Sequence, residues 1–183
     1  MSVDDVVGRI SEFRAASHCV LTGGEPMMAR EIGELATRLR KIGKHITIET
    51  AGTVSPDQIP CDLASLSPKL AHSTPLEGEI SEQWRERHEN LRLQPQVLRE
   101  WIENYEFQLK FVLRNSSDAE EMQDLLNSLD RDVPPHKILI MPEGLNSTDL
   151  REKGSELIEL CKSNGYRFCH RLHIDLFGNT PGT

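Results

Sequence analysis

Residues 18–26, which read HCVLTGGEP, give the clearest indication of the fold class. The first five of them form a short, mostly apolar run that stops at two glycines, as a buried strand of a parallel sheet does. A helical pattern follows, with apolar residues on one face at Ile32, Leu35, Leu39 and Ile42, Pro26 near its first turn and Gly43 just past its end. The stretch therefore predicts one strand, loop and helix unit.

The same unit repeats along the rest of the chain. Strands are predicted at 46–50, 62–66, 105–113, 137–141 and 166–174. Helices are predicted from the cap Ser2, from Pro95, from the cap Ser117 and over 150–161, and the charged stretch 72–90 is interpreted as a surface helix or lid. Alternating strands and helices with short connections indicate an α/β fold, a parallel sheet that is open or partly closed as a barrel. We expect residues 1–183 to form a single domain.

Composition excludes several classes of protein. The 183 residues carry a net charge of -8, which argues against a surface for nucleic-acid phosphates. No apolar run approaches the roughly 20 residues of a membrane span, and no secretory signal precedes the first helix, so a cytoplasmic protein with reduced thiols is expected. The four cysteines are too widely spaced for a metal or iron-sulfur ligand set, and are interpreted as buried apolar residues: Cys19, Cys61, Cys161 and Cys169.

Polar residues directly follow the predicted strands, at the edge where parallel α/β proteins bind ligands. The glycines at 23 and 24 let a backbone approach a ligand closely, and Glu25 adds a carboxylate, which suits a ligand's ammonium group. A tight turn with no ligand explains the same residues equally well. Glu143 is either a rim residue or a turn residue. His170 and His173 fall on opposite faces of the last predicted strand, so a shared metal is not expected.

The segments in order, together with the ending RLHIDLFGNT at 171–180, resemble the radical S-adenosylmethionine enzymes, and within them the 7-carboxy-7-deazaguanine synthases of queuosine biosynthesis. The resemblance implies a parallel partial (βα) barrel. It implies cofactor binding by a Gly-Gly-Glu-Pro motif and two further segments, which match Gly23, Gly24, Glu25, Pro26, Ser67, Pro68, Lys69 and Gln108. It also implies substrate contacts at Thr22, Glu49 and the last residue, Thr183.

The chain departs from that family at one place. The three-cysteine loop that holds a 4Fe-4S cluster in the family, and the magnesium ligand after it, have no match, because the sequence opens at the helix that follows them. We therefore expect an N-terminally incomplete barrel with no metal ligands of its own, inactive as this chain. A reading frame that begins at an internal methionine of a longer protein and a natural remnant both remain open.

The activity implied by the resemblance is that of a carbon-nitrogen lyase. Such an enzyme uses S-adenosyl-L-methionine, a cluster and magnesium to convert 6-carboxy-5,6,7,8-tetrahydropterin, a small-molecule pterin, to 7-carboxy-7-deazaguanine. A reductase such as flavodoxin and a homodimeric state are the implied partners. Two alternatives stay open at this point: an organic radical activating enzyme and a non-catalytic, nucleoside-binding remnant.

Overall fold

The computed structural model describes residues 1–180, and its elements alternate as the sequence predicts. Six strands follow one another in the sheet order β1-β2-β3-β4-β5-β6, and the pairs β1·β2, β2·β3, β4·β5 and β5·β6 are parallel. The elements are α1 (Val3–Glu12), β1 (His18–Leu21), α2 (Ile32–Lys41), β2 (His45–Thr50), β3 (Leu63–Leu66), α3 (Glu82–Arg92), α4 (Pro95–Asn104), β4 (Phe107–Leu113), α5 (Asp118–Ser128), β5 (Ile138–Pro142), α6 (Ser147–Asn164), β6 (Arg167–Phe168) and α7 (Leu172–Phe177). The predicted α/β class is confirmed.

The chain divides into two compact units, and the first comprises 1–67 with 96–108. Its strands β1, β2 and β3 are in parallel register, with Leu21 beside Ile48 and Ile48 beside Ala64. Helices α2 and α4 contribute apolar side chains to its core, and the buried residues include Ala36, Leu39, Ile46, Ile48, Leu66, Leu98 and Trp101. The indole of Trp101 donates a hydrogen bond to the carbonyl oxygen of Val54 at 2.9 Å, which satisfies its polar atom in the interior.

The second unit comprises 68–95 and the residues from 109 onward. Within it β4, β5 and β6 pair in parallel, with Leu109 opposite Ile138 and Ile140 opposite Phe168. Helix α6 ends at Gly165, whose φ of 72° is the left-handed conformation that glycine adopts readily at a helix C-terminus. No helix among residues 1–180 is long and apolar enough to cross a membrane.

Three local predictions were wrong. The predicted last strand, 166–174, pairs only at Arg167–Phe168, and the chain then forms helix α7. The alternation of Tyr166, Phe168, Leu172 and Ile174 suggests a strand, but only two residues of the segment pair with β5. His173 therefore lies in a helix, and His170 contacts Asp175 at 3.2 Å instead of lying on a strand.

The other two errors concern helix starts. Pro26 does not open α2, because Pro26–Met28 forms a separate 3-10 turn and α2 begins at Ile32. Ser117 precedes α5, but its hydroxyl donates to the side-chain oxygen of Asn115 and does not cap the helix. The capping box of Ser2 and Asp5 and the exposed surface helix α3 are both confirmed.

Candidate functional site

The loop after β1 leaves its backbone open. Gly23 and Gly24 are both exposed, and a Cβ atom built on either would meet no other atom within 4 Å. Gly23 has a φ of 156°, a conformation that residues with a Cβ rarely adopt. The two glycines therefore give an incoming ligand direct access to main-chain atoms at the carboxyl end of the strand.

Glu25 fastens this loop to the end of β2. Its Oε1 accepts a hydrogen bond from the amide of Met27 at 3.1 Å, and its Oε2 accepts one from the amide of Ala51 at 3.0 Å. The hydroxyl of Thr50 lies 2.8 Å from both carboxylate oxygens. The carboxylate therefore accepts two amide protons and one hydroxyl proton. It offers about four lone-pair sites, so one acceptor position remains. The carboxylate is thus held in place and can still accept one more hydrogen bond.

The turn that follows β2 is tightly built. Thr50 Oγ1 accepts a hydrogen bond from the amide of Gly52 at 3.0 Å, while the carbonyl oxygen of Thr50 accepts one from the amide of Ser67 at 2.8 Å. Gly52 has a φ of 73°, and a Cβ there would lie 2.3 Å from Cδ2 of Leu98. Only glycine fits at this position, so the turn that supplies two partners of Glu25 has one geometry.

A row of polar side chains occupies one face of the strands in the first unit. Glu49 is in register with Ser65, and in a parallel pair such residues lie on the same face. The side-chain amide of Gln108 donates to Ser65 Oγ at 3.0 Å. Ser65 is only 2% exposed, which shows that Gln108 is oriented by a buried partner.

Of the other predicted cofactor residues, Ser67 is the last residue of the first stretch of unit one and is 4% exposed, while Pro68 and Lys69 belong to the second unit. Pro68 and Leu70 are buried, whereas Lys69 between them is exposed. The carbonyl oxygen of Lys69 accepts a hydrogen bond from Nη1 of Arg92 at 3.0 Å. The lysine side chain is therefore presented from a backbone that is fixed on both sides.

Sequence reasoning missed two residues of this site. Thr50 and Ser65, which hold Glu25 and Gln108, were not among the predicted site residues. Both are small hydroxyl residues at buried strand positions, and that pattern is the signal that could have identified them. Thr22 is exposed and directly follows β1, its substrate contact stays a prediction, and Thr183 lies outside the described residues.

The cysteines do not fit an iron-sulfur cluster. Burial raises the pKa of the Cys61 thiol to about 11, and it also raises the pKa of Cys19 and of Cys161. Cluster iron needs thiolates, which such environments disfavour. Within residues 1–180, no three side chains of the His, Cys, Asp and Glu types are grouped to hold a metal ion. The described residues fit a ligand at the open loop beside Glu25, but neither a cluster nor magnesium.

The match to solved structures gives the class of this parallel α/β fold, which is the radical S-adenosylmethionine type. The crystal structure of Streptococcus suis SuiB, at 12% identity, has the same fold with a TM-score of 0.60 over 93% of this chain and 43% of that one. The crystal structure of QueE from Escherichia coli matches with a TM-score of 0.63 and 25% identity over 93% of this chain, which spans 64% of QueE.

Sequence relatives identify the family. The chain is 37% identical to the 7-carboxy-7-deazaguanine synthase of Halobacterium salinarum, over all of this chain and 74% of the relative. It is 35% identical to the synthase of Rhodopirellula baltica, over all of this chain and 69% of that protein. No known protein-family model matches the chain. The chain belongs to the 7-carboxy-7-deazaguanine synthase family, whose members are radical S-adenosylmethionine lyases.

Proposed function

We propose that this chain supplies the cofactor-binding and substrate-binding edge of a 7-carboxy-7-deazaguanine synthase, which acts on 6-carboxy-5,6,7,8-tetrahydropterin. Family membership supports the reaction. One observation supports the site: an open glycine backbone lies beside a carboxylate that its own chain holds in place and leaves with one acceptor position. This arrangement suits the ammonium group at the methionine end of S-adenosyl-L-methionine.

The predicted cofactor residues have different roles in this proposal, and Ser67, which is buried, only braces the turn after β2 by donating its amide to the carbonyl oxygen of Thr50. The carbonyl groups of Gly23 and Gly24 and the remaining acceptor position of Glu25 receive the ammonium protons. Lys69 presents a positive charge that complements the cofactor's carboxylate. Gln108, oriented by Ser65, offers amide donors and acceptors to the nucleoside end. Pro26 and Pro68, both buried, shape the two loops and make no polar contact through their side chains.

The proposed substrate contacts are Thr22, Glu49 and Thr183. A pterin ring carries adjacent N–H donors, and a carboxylate such as that of Glu49 can accept from two of them. Glu49 and Ser65 share one face of the sheet, so a ring on that face meets polar side chains from neighbouring strands.

The cofactor and the cluster supply radical chemistry when they are bound, and this chain's described residues bind, orient and shield the reactants. We propose that the cluster and magnesium ligands are not among these residues, so that the 183 residues by themselves are inactive. Reduction by a flavodoxin-like protein, a cytoplasmic location and a homodimer belong to the same proposal. The position of β1 at one end of the strand order supports self-association, because an edge strand can pair with a strand of another chain.

Calorimetric titration with S-adenosyl-L-methionine tests the site. The variant Gly24→Val adds a side chain where no protein atom lies within 4 Å, so the fold is kept while the ligand's approach is blocked. The matched control is Gly8→Val, an exposed helix position with equal free space. The proposal expects binding to the unmodified chain and to the control, and at least about tenfold weaker binding to Gly24→Val. Equal affinity of the two variants contradicts it.

A further inference from the structure

In the second unit, an ionic network surrounds the backbone that carries Lys69. Arg92, from the end of α3, is 13% exposed and contacts three groups through its guanidinium. Nη1 donates to the carbonyl oxygen of Lys69 at 3.0 Å and to Oε1 of Glu121 at 2.7 Å, and Nε donates to Oε2 of Glu89 at 2.7 Å. The planar side chain of Arg92, on α3, thus contacts both the loop after β3 and Glu121 on α5.

Glu121 holds the same loop through a backbone amide of the loop. Both of its carboxylate oxygens accept from the amide of Ala71, at 2.8 and 3.1 Å. The carbonyl of Lys69 and the amide of Ala71 are therefore held by an Arg92–Glu121 ion pair, while buried Leu70 anchors the residue between them. We call these contacts, made by Arg92 and Glu121 to residues 69 and 71 and to each other, the backbone clamp.

The charges of the clamp are maintained by the network itself. Burial alone lowers the pKa of Arg92, but hydrogen bonds to Glu89 and Glu121 outweigh it and leave the pKa raised. The hydroxyl of Thr74 donates to Glu89 and lowers the pKa of that carboxyl. Arg92 is thus charged and Glu89 ionised at neutral pH, and the fork of donors on Arg92 has partners in fixed directions.

We propose that Arg92 and Glu121 are positioning residues for cofactor binding, and that they act through Lys69 by fixing the backbone from which its ammonium group is presented. This inference rests on the proposed function, in which Lys69 is one of the cofactor-binding residues. A flexible lysine loses rotamer freedom on binding, and a mobile backbone would add to that loss. The clamp removes the backbone part of the loss before the ligand arrives.

The test uses Arg92→Lys, which keeps the charge but cannot maintain three directed donors. The control is Arg85→Lys on the same helix, because Arg85 is exposed and lies outside the clamp. Hydrogen exchange at the Ala71 amide reports on the clamp, and calorimetry with S-adenosylhomocysteine reports on affinity. Arg92→Lys is expected to speed exchange at Ala71 and to weaken binding about tenfold, which equals about 1.4 kcal/mol. The control is expected to change neither quantity.

A double-mutant cycle separates positioning from general stability. If Arg92 acts through Lys69, Arg92→Lys has almost no further effect on affinity in a Lys69→Met background. Equal losses in both backgrounds, or unchanged affinity despite faster exchange at Ala71, overturn the inference and leave the proposed function intact. Failure of the unmodified chain to bind the probe overturns the proposed function itself, and this inference with it.

Discussion

Replacing Glu25 with alanine removes the acceptor that joins the glycine loop to the end of β2. Three donors lose their partner: the amides of Met27 and Ala51 and the hydroxyl of Thr50. Hydrogen bonds to a charged acceptor contribute about 1.5 to 3 kcal/mol each, but such losses are not additive where water can enter. Met27 and Ala51 are half-buried, whereas Thr50 is 2% exposed. We therefore expect the free energy of unfolding to fall by about 2 to 4 kcal/mol.

Urea denaturation followed by circular dichroism measures this change. Glu25→Gln keeps one acceptor oxygen, so its free energy of unfolding should fall by only about 1 kcal/mol. The control is Glu31→Ala, six residues along the chain, because Glu31 is exposed and forms no side-chain capping hydrogen bond. The free energy of unfolding of this control should stay within about 0.5 kcal/mol of that of the unmodified chain, as is usual for surface substitutions. If Glu25→Ala and Glu31→Ala destabilise equally, the carboxylate does not hold the loop and the reasoning fails.

Three further predictions concern the turn after β2, a buried carboxylate and the metal content. Gly52→Ala should destabilise the fold by about 2 to 4 kcal/mol in urea denaturation, because it combines a left-handed φ with a clash against Leu98, and unchanged stability would refute the turn geometry. Burial raises the pKa of Asp118, but hydrogen bonds from Arg114 outweigh burial and leave the pKa lowered, so this carboxylate stabilises the fold above about pH 4 and the effect is lost as pH falls further. Asp118→Asn should therefore lower the unfolding free energy at pH 7 and matter little near pH 2, and a pH-independent difference would contradict this. Anaerobic reconstitution of the 183-residue chain should yield no stoichiometric iron or sulfide, and a cluster with its visible absorption would contradict the ligand assignment.

Local patterns were enough to predict most of the fold. The alternation of β4 placed Phe107, Leu109, Phe111 and Leu113 on the buried face, and the structure agrees. Alternation is informative there because seven residues fix the period, and one face packs against a core. The last predicted strand was wrong because the length of a strand depends on pairing with its neighbour, and only two residues pair with β5. A local sequence pattern does not contain information about that pairing.

Some features of the site can likewise be predicted from neighbouring residues, and others depend on residues far away in the chain. The glycines at 23 and 24 and the carboxylate at 25 are consecutive, so the sequence alone indicates a loop that can approach a ligand. The partners of Glu25 at positions 50 and 51 are 25 and 26 residues away, and they meet it only because β1 and β2 are adjacent in the sheet. The clamp on Lys69 depends on residue 121, which is separated from the loop by two helices and a strand.

Amide chemical-shift mapping during titration with S-adenosyl-L-methionine shows directly whether the loop after β1 binds the cofactor. If the loop after β1 binds the methionine end of the cofactor, the largest shifts fall on the amides of Gly23, Gly24 and Ala51. The contrasting region is the cleft of about 550 Å³ lined by residues that include Arg40 and Tyr105, in the same unit. Saturable shifts confined to the loop and the turn after β2 are the predicted result. Shifts centred on that cleft, or none at saturating cofactor, would contradict the account.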